Sequence, residues 1–324
     1  QMQESVGGPK CVSVLNCAVL SVVKAVAFGE RARHLAVAGI DSRRRTQLFL
    51  WDISLLTKGG STSLVARQVS DPDIECIKFS PYEELKLVSC GAENIRFWRV
   101  KEGHIPGCNV TLNALCRASH FTCLDFEQNR GAPPTFMGEH LSHHHRVFVS
   151  SMSGAVLQIA YTTRQVQAVH QLHDAPIVAI LANETFVVTA AQDCYVRVWP
   201  LDFQSHLQAL HDAPLEGIDM TPDGLKVLCC ATDGAIGVLN LRNQQYTTLL
   251  RSHGEALTAA AFSGAFREVA TCARDGSIKV WRSGLRQQTH EFSAEEVPCA
   301  VAFHPGARHV LAVGFETGAL RLFD

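Results

Sequence analysis

The residue types that make a nucleophilic relay occur twice, as His173, Thr189 and Asp193 and as His253, Thr271 and Asp275. Such a trio activates a hydroxyl when base and nucleophile lie within hydrogen-bond reach. In both copies Asp follows Thr by four residues, and a Trp (Trp199, Trp281) follows Asp by six. An indole N–H seeks a buried acceptor, so a trio duplicated beside a Trp is read as structural. His140, His143, His144 and His145 crowd a second place. A zinc site takes four ligands at defined spacing with outer-shell support. Three consecutive His in a Gly- and Pro-rich stretch do not converge easily on one ion, so an exposed loop is expected there and no metal. Arg43, Arg44 and Arg45 form the clearest charge run. Three guanidiniums on one short turn can pair bidentately with the carboxylates or phosphates of an acidic partner.

Other chemistry is thinly represented. No Walker phosphate loop, H-E-x-x-H, G-x-S-x-G or pair of catalytic carboxylates is present. Basic residues are not interleaved with exposed aromatics as nucleic-acid grooves require. The twelve cysteines include no C-x-x-C, and most fall in apolar runs: Cys76, Cys90, Cys123, Cys229, Cys230, Cys272, Cys299. Buried free Cys acts as a small hydrophobe, and a reducing compartment is the economical expectation. A non-enzymatic chain without cofactor, nucleic acid, membrane or small-molecule substrate is expected.

Composition narrows the class. The 324 residues hold 29 basic and 31 acidic side chains, a balance of −2, with 47% apolar and 19% charged residues. These values exclude a charged disordered tail, a coiled coil and a collagen-like fibre. A near-neutral balance supplies no global field for nucleic acid or an anionic membrane, and no apolar run approaches 18 residues. A chain that begins at Gln1 without Met and stops after a strand reads as a piece of a longer, multi-domain protein.

The elements that position these residues repeat. Runs ending in a large apolar residue recur at Trp51, Trp98, Ile159, Trp199, Leu239, Trp281 and Phe323. The gaps are 47, 61, 40, 40, 42 and 42, a blade-like period with one outlier. Each unit repeats internally as β-rich runs separated by turn signals, Asp233-Gly234 and Asp275-Gly276 being the strongest and Ser153-Gly154 and Thr317-Gly318 weaker. Ser80-Pro81, Thr221-Pro222 and His304-Pro305 mark the turn after the first strand of a unit. The expected architecture is all-β: one seven-bladed propeller over residues 1–324. The run Cys11 to Cys17 is expected to complete the last blade and remove the open sheet edges. The 61-residue gap holds an expected insertion at 129–146 in blade three.

With these repeats the chain resembles WD-repeat proteins over essentially its whole length. That resemblance implies a hydrogen-bonded His–Thr–Asp–Trp set in blade four (His173, Thr189, Asp193, Trp199) and in blade six (His253, Thr271, Asp275, Trp281). Blade five, with Cys229 and Leu239, lacks the set and is expected to rely on plain packing. From Val196 onward, Trp199-Pro-Leu-Asp-Phe203, Thr221-Pro-Asp-Gly-Leu-Lys226 and Phe303-His-Pro305 resemble a centriolar and ciliary branch of that family. The resemblance implies a microtubule-associated scaffold that supports the centriole wall, in cytoplasm, cytoskeleton, basal body and cilium, with centriolar proteins or tubulin as partners. The turn face carries Asp71, Asp73, Asp174, Asp193, Asp212, Asp233, Asp275, Glu295 and Glu296 and suits acidic tubulin poorly. The opposite face carries Arg31, Arg33, Lys101, Arg242, Arg282, Arg286 and Arg308, diluted by Glu83, Glu84 and Glu102. The competing reading is a ubiquitin-ligase substrate receptor or signalling adaptor. Propellers that dock on cullin adaptors often carry Arg three residues after the blade Trp, where this chain has Ser54, Lys101, Asp202 and Gly284.

Overall fold

Alternating apolar runs with polar turns fold here into strands alone, twenty-eight of them among the described residues. The computed structural model describes residues 11–16, 19–29, 33–55, 61–112, 119–128, 145–249, 253–263, 268–282, 288–306 and 310–323. The strands form seven four-stranded antiparallel sheets. Blade one is β2 (Leu20–Phe28), β3 (His34–Asp41), β4 (Thr46–Asp52) and β5 (Ser63–Ser70), each paired to the next. Blades two to six repeat this a–b–c–d order through β25 (Gln288–Ser293). All seven landmark residues lie in third strands, from Trp51 in β4 to Phe323 in β28 (Ala319–Phe323).

The last blade holds β26 (Pro298–Phe303), β27 (Leu311–Phe315) and β28, and its outer strand is β1 (Cys11–Asn16). β1 runs antiparallel to β28, with Cys11 opposite Phe323 and Asn16 opposite Ala319. Pairing the two ends of the chain in one sheet covers the edge β28 would otherwise expose.

Burial follows the seams between blades. Seven apolar clusters serve seven interfaces, which is what a closed ring requires. At the closing seam Leu15, Leu20, Leu35, Val37 and Phe49 pack with Val310, Ala312, Leu320 and Leu322. Each blade is thus buried on both faces, so its inner strands read as continuous apolar runs (Val-Leu-Cys-Cys-Ala at 227–231, for example).

The tight turns between second and third strands carry a common backbone signature. Arg44, Glu93, Gly154, Cys194, Gly234, Gly276 and Gly318 all have positive φ, between 55° and 84°. Four are the glycines that marked these turns in the sequence, and three bear side chains that make the left-handed conformation costlier. At Gly318 a Cβ would also meet the Leu20 carbonyl oxygen at 2.0 Å, so this turn of the last blade needs glycine to close onto the first.

One boundary differs from the sequence expectation of an insertion at 129–146. Arg146 is the first residue of β11 (Arg146–Ser151), opposite Ala160, so the blade resumes earlier. Glu127 holds the Arg146 guanidinium at 2.6 and 3.0 Å, and burial of the continuous run Val147, Phe148, Val149 carries Arg146 into the ladder.

Candidate interaction surface and the sets that hold it

Blade four assembles its four residues. His173 is 2% exposed, with Nδ1 2.8 Å from Asp193 Oδ2 and Nε2 2.8 Å from Thr189 Oγ1. Trp199 Nε1 donates to the same hydroxyl at 3.0 Å. Asp193 also accepts the Tyr195 N–H at 3.0 Å, so one carboxylate ties the turn to the preceding loop. Blade six differs by one residue. His253 Nε2 meets Thr271 Oγ1 at 2.7 Å and Trp281 Nε1 donates to Thr271 at 2.9 Å, but His253 Nδ1 meets Ser277 Oγ at 2.6 Å. Ser277 then donates to Asp275, whose other oxygen accepts the Gly254 N–H at 2.8 Å. Blade two keeps a remnant, with Trp98 Nε1 donating to Ser89 Oγ at 2.8 Å. Blade one has the Trp without the hydroxyl: Val37 takes the matching place, and Trp51 Nε1 is buried with no partner among the described residues.

The Ser89, Thr189 and Thr271 hydroxyls are buried and each is engaged by an indole, and Ser277 is taken up between His253 and Asp275, so none is presented to a substrate. Burial also governs the imidazoles, pushing the His253 pKa down to about 4 against the opposing pull of Asp275, and lowering that of His173. The native ring therefore binds a proton less readily than the unfolded chain, whose His titrates near 6.5. This stability is fully present above pH 6.5 and is lost as pH falls toward 4. The thermal midpoint is expected to drop across that window, and His253→Gln to flatten the slope; differential scanning fluorimetry across buffers checks it.

Blade five does not rely on plain packing, contrary to the sequence expectation. His211, 2% exposed, occupies the histidine place, and its Nδ1 lies 2.7 Å from the Tyr246 hydroxyl. Tyr246 comes from β21 (Gln245–Leu249), the outer strand, and crosses the ladder over Gly237. A Cβ on Gly237 would stand 1.9 Å from the Tyr246 oxygen. Gly237→Ala is expected to expel the ring and cost about 2 kcal/mol, a buried hydrogen bond plus part of an aromatic side chain. Combining it with Tyr246→Ala should add little further loss in urea unfolding. The signal was in the sequence, since His211-Asp-Ala-Pro214 duplicates His173-Asp-Ala-Pro176.

Two carboxylates that the sequence reading missed lock the inner ring. Asp125, 1% exposed, accepts Lys78 Nζ at 2.9 Å from blade two and the Ala182 N–H at 2.7 Å from blade four. Asp219 holds the corresponding place in blade five and accepts the Phe262 N–H of blade six. Their signal was an acid at the fifth position of otherwise largely apolar first strands.

The surface residues divide between two faces. Arg43, Arg44 and Arg45 are exposed in the turn between β3 and β4. Asp41 accepts the backbone N–H of Arg43 and of Arg45 at 2.9 Å each, and Arg45 Nε at 3.0 Å. These bonds, the Arg45 backbone N–H foremost, hold the Asp41 carboxyl down to about 2. Around the same face Asp71, Asp174, Asp212, Asp275 and Glu295 are exposed, whereas Asp73, Asp193, Asp233 and Glu296 are half-buried. Arg274, also exposed in a turn of this face, is a second basic point. On the opposite face Arg33, Lys101, Arg242 and Arg282 are exposed, with Glu84 and Glu102 among them. Arg31, Arg286 and Arg308, like His140, His143 and His144, lie outside the described residues. His145 packs its ring 4.1 Å from that of Tyr82.

A closed ring of seven four-stranded blades, several pinned by buried indole-to-hydroxyl bonds and two by full histidine sets, is a WD-repeat β-propeller. The family described as WD domain, G-beta repeat matches residues 164–200 and 243–282, the stretches that contain both full sets. Along the whole chain the likeness is to WD repeat-containing protein 90: the Xenopus tropicalis protein is 33% identical over 335 residues, covering 97% of this chain and 18% of that protein. Centriole proteome protein 16 of Chlamydomonas reinhardtii is 35% identical over 335 residues, covering 95% of this chain and 16% of its own length. Echinoderm microtubule-associated protein-like 2 of Mus musculus is 22% identical over 302 residues, 92% of this chain and 44% of that protein. The chain thus spans less than a fifth of WD repeat-containing protein 90 and of Centriole proteome protein 16.

Proposed function

We propose that this propeller is a non-catalytic protein-interaction scaffold within a centriole- and cilium-associated, microtubule-associated protein, supporting centriole wall integrity and cilium assembly. The observation that carries the reading is the likeness to WD repeat-containing protein 90 across 97% of the chain. The name of Centriole proteome protein 16 and the more distant microtubule-associated relative point the same way. The geometry is compatible with it, since the buried sets hold each blade to its leading loop, Asp125 and Asp219 join neighbouring blades, and the turn faces are left to partners. Its place is then the cytoskeleton of the cytoplasm, at centriole, basal body and cilium.

Partners in this reading are proteins rather than nucleic acid, membrane or small molecules. Direct tubulin contact would use the face carrying Arg33, Lys101, Arg242 and Arg282, because the turn face holds mostly acids. Cosedimentation with microtubules at two salt concentrations tests that contact, and absence of pelleting at low salt removes it. Proximity labelling in ciliated cells tests the scaffold reading itself. Enrichment of centriolar proteins supports it, and enrichment of ubiquitin-ligase subunits instead replaces it with the receptor reading.

A further inference from the structure

We propose that the end of blade one that carries the β3–β4 turn is a docking surface for an acidic, partly apolar segment of a partner polypeptide. The proposal rests on the scaffold reading for the use of this surface, not for its geometry.

Four arginines lie in or near the β3–β4 turn of this blade. Arg43, Arg44 and Arg45 fill the turn between β3 and β4, and Arg67 projects from β5 at the same end, opposite Phe49. Two of them are held in place by a shared pair of side chains. The buried Asp41 carboxylate takes Arg45 through Nε and Nη2, each at 3.0 Å, and takes Gln47 Nε2 at 2.9 Å. Gln47 Oε1 in turn accepts Arg67 Nε at 3.2 Å, while the Arg67 guanidinium lies 5.3 Å over the Phe49 ring. The Arg67 bond uses Nε, so its paired Nη groups remain for a carboxylate. A guanidinium already ordered by its neighbours loses less freedom when a ligand binds.

The turn itself is shaped to present the other two. Arg44 has φ of 58°, a conformation in which bulky residues are uncommon. Asp41 imposes it by accepting the N–H groups on either side. Arg43 and Arg44 are exposed at the tip. The acids of the following loop are partly committed elsewhere. Asp73 accepts the Thr46 hydroxyl at 2.9 Å and Glu75 pairs with Lys24 at 3.1 Å, leaving Asp71 exposed.

Polypeptide is favoured over nucleic acid by the apolar residues alongside. Val69, 41% exposed and paired with Gln47, lies on β5 between Arg67 and the turn, and Leu64, 46% exposed, lies further along the same strand opposite Trp51. None of the large apolar side chains exposed among the described residues is aromatic, so no stacking platform for bases accompanies the charge. Carboxylates alternating with aliphatic residues match both features at once.

Fluorescence anisotropy with a labelled synthetic peptide of Glu-Glu-Leu repeats reads the binding. Saturable binding is expected, weakened about tenfold or more in the R43E/R44E pair and about threefold in R67Q, with thermal midpoints unchanged. If the reversed pair misfolds, the neutral pair R43Q/R44Q replaces it. R274E, on another turn of the same face, should change affinity little. Equal binding by the blade-one variants, or an equal loss in R274E, overturns the site. A Ser-for-Leu peptide bound as tightly, or a single-stranded oligonucleotide of equal charge bound more tightly, overturns the polypeptide assignment. Failure here together with centriolar enrichment in proximity labelling removes the surface and leaves the scaffold reading standing.

Discussion

Removing residues 1–16 is expected to lower the thermal midpoint by about 10 °C or more and to produce self-association, read by scanning fluorimetry and size-exclusion chromatography. β1 supplies the whole outer strand of the last blade, in five register positions against β28. Each backbone hydrogen bond lost contributes about 1 kcal/mol net, and loss of Leu15, 2% exposed at the closing seam, costs about 2–4 kcal/mol. The sum approaches the total stability of an ordinary domain. The shortened chain would also carry the open edge of β28, a template for pairing with another copy. Leu15→Ala separates the two contributions. It should lose the packing part alone and stay monomeric. An unchanged midpoint in the deletion would show that β1 does not hold the ring shut.

Asp125→Ala should be the most damaging single substitution, at about 3–5 kcal/mol, measured by urea unfolding. The carboxylate joins the first strands of three successive blades, and its removal takes a charge-assisted acceptor from the Lys78 ammonium and a buried acceptor from the Ala182 N–H. Replacing both charges by apolar residues of similar volume, as in Lys78→Met with Asp125→Leu, should recover a large part of the loss, because the cost lies in breaking one half of a charge pair rather than in removing both. A double variant as unstable as Asp125→Ala would show that shape, not charge, decides the site. Lys78 keeps 30% of its side chain exposed, which tempers the penalty on its side.

Much of the architecture was legible because a propeller repeats one supersecondary unit. Seven landmark residues, four turn glycines and two full histidine sets are local features, and local features survive in a linear string. The partners of those sets were legible only in outline. Ser277 enters between His253 and Asp275 because the tight turn brings its hydroxyl back over the carboxylate, which spacing alone does not reveal. His211 with Tyr246 escaped notice because Tyr246 arrives from the next strand of the blade, over a glycine whose purpose shows only in three dimensions.

The Arg43–Arg45 run reads as three equivalent cations in one dimension. In space Asp41 engages Arg45, strains Arg44 and, through Gln47, recruits Arg67 from a strand twenty residues away. Sequence by itself therefore determined the class, the blade count and the faces on which charges fall, since periodicity and turn chemistry are properties of neighbours along the chain. Tertiary structure decided which charges are free, how the ring closes and which carboxylates lock it. Those outcomes depend on groups from different blades meeting where water is excluded, and there an unmatched polar atom costs as much as a small core residue contributes.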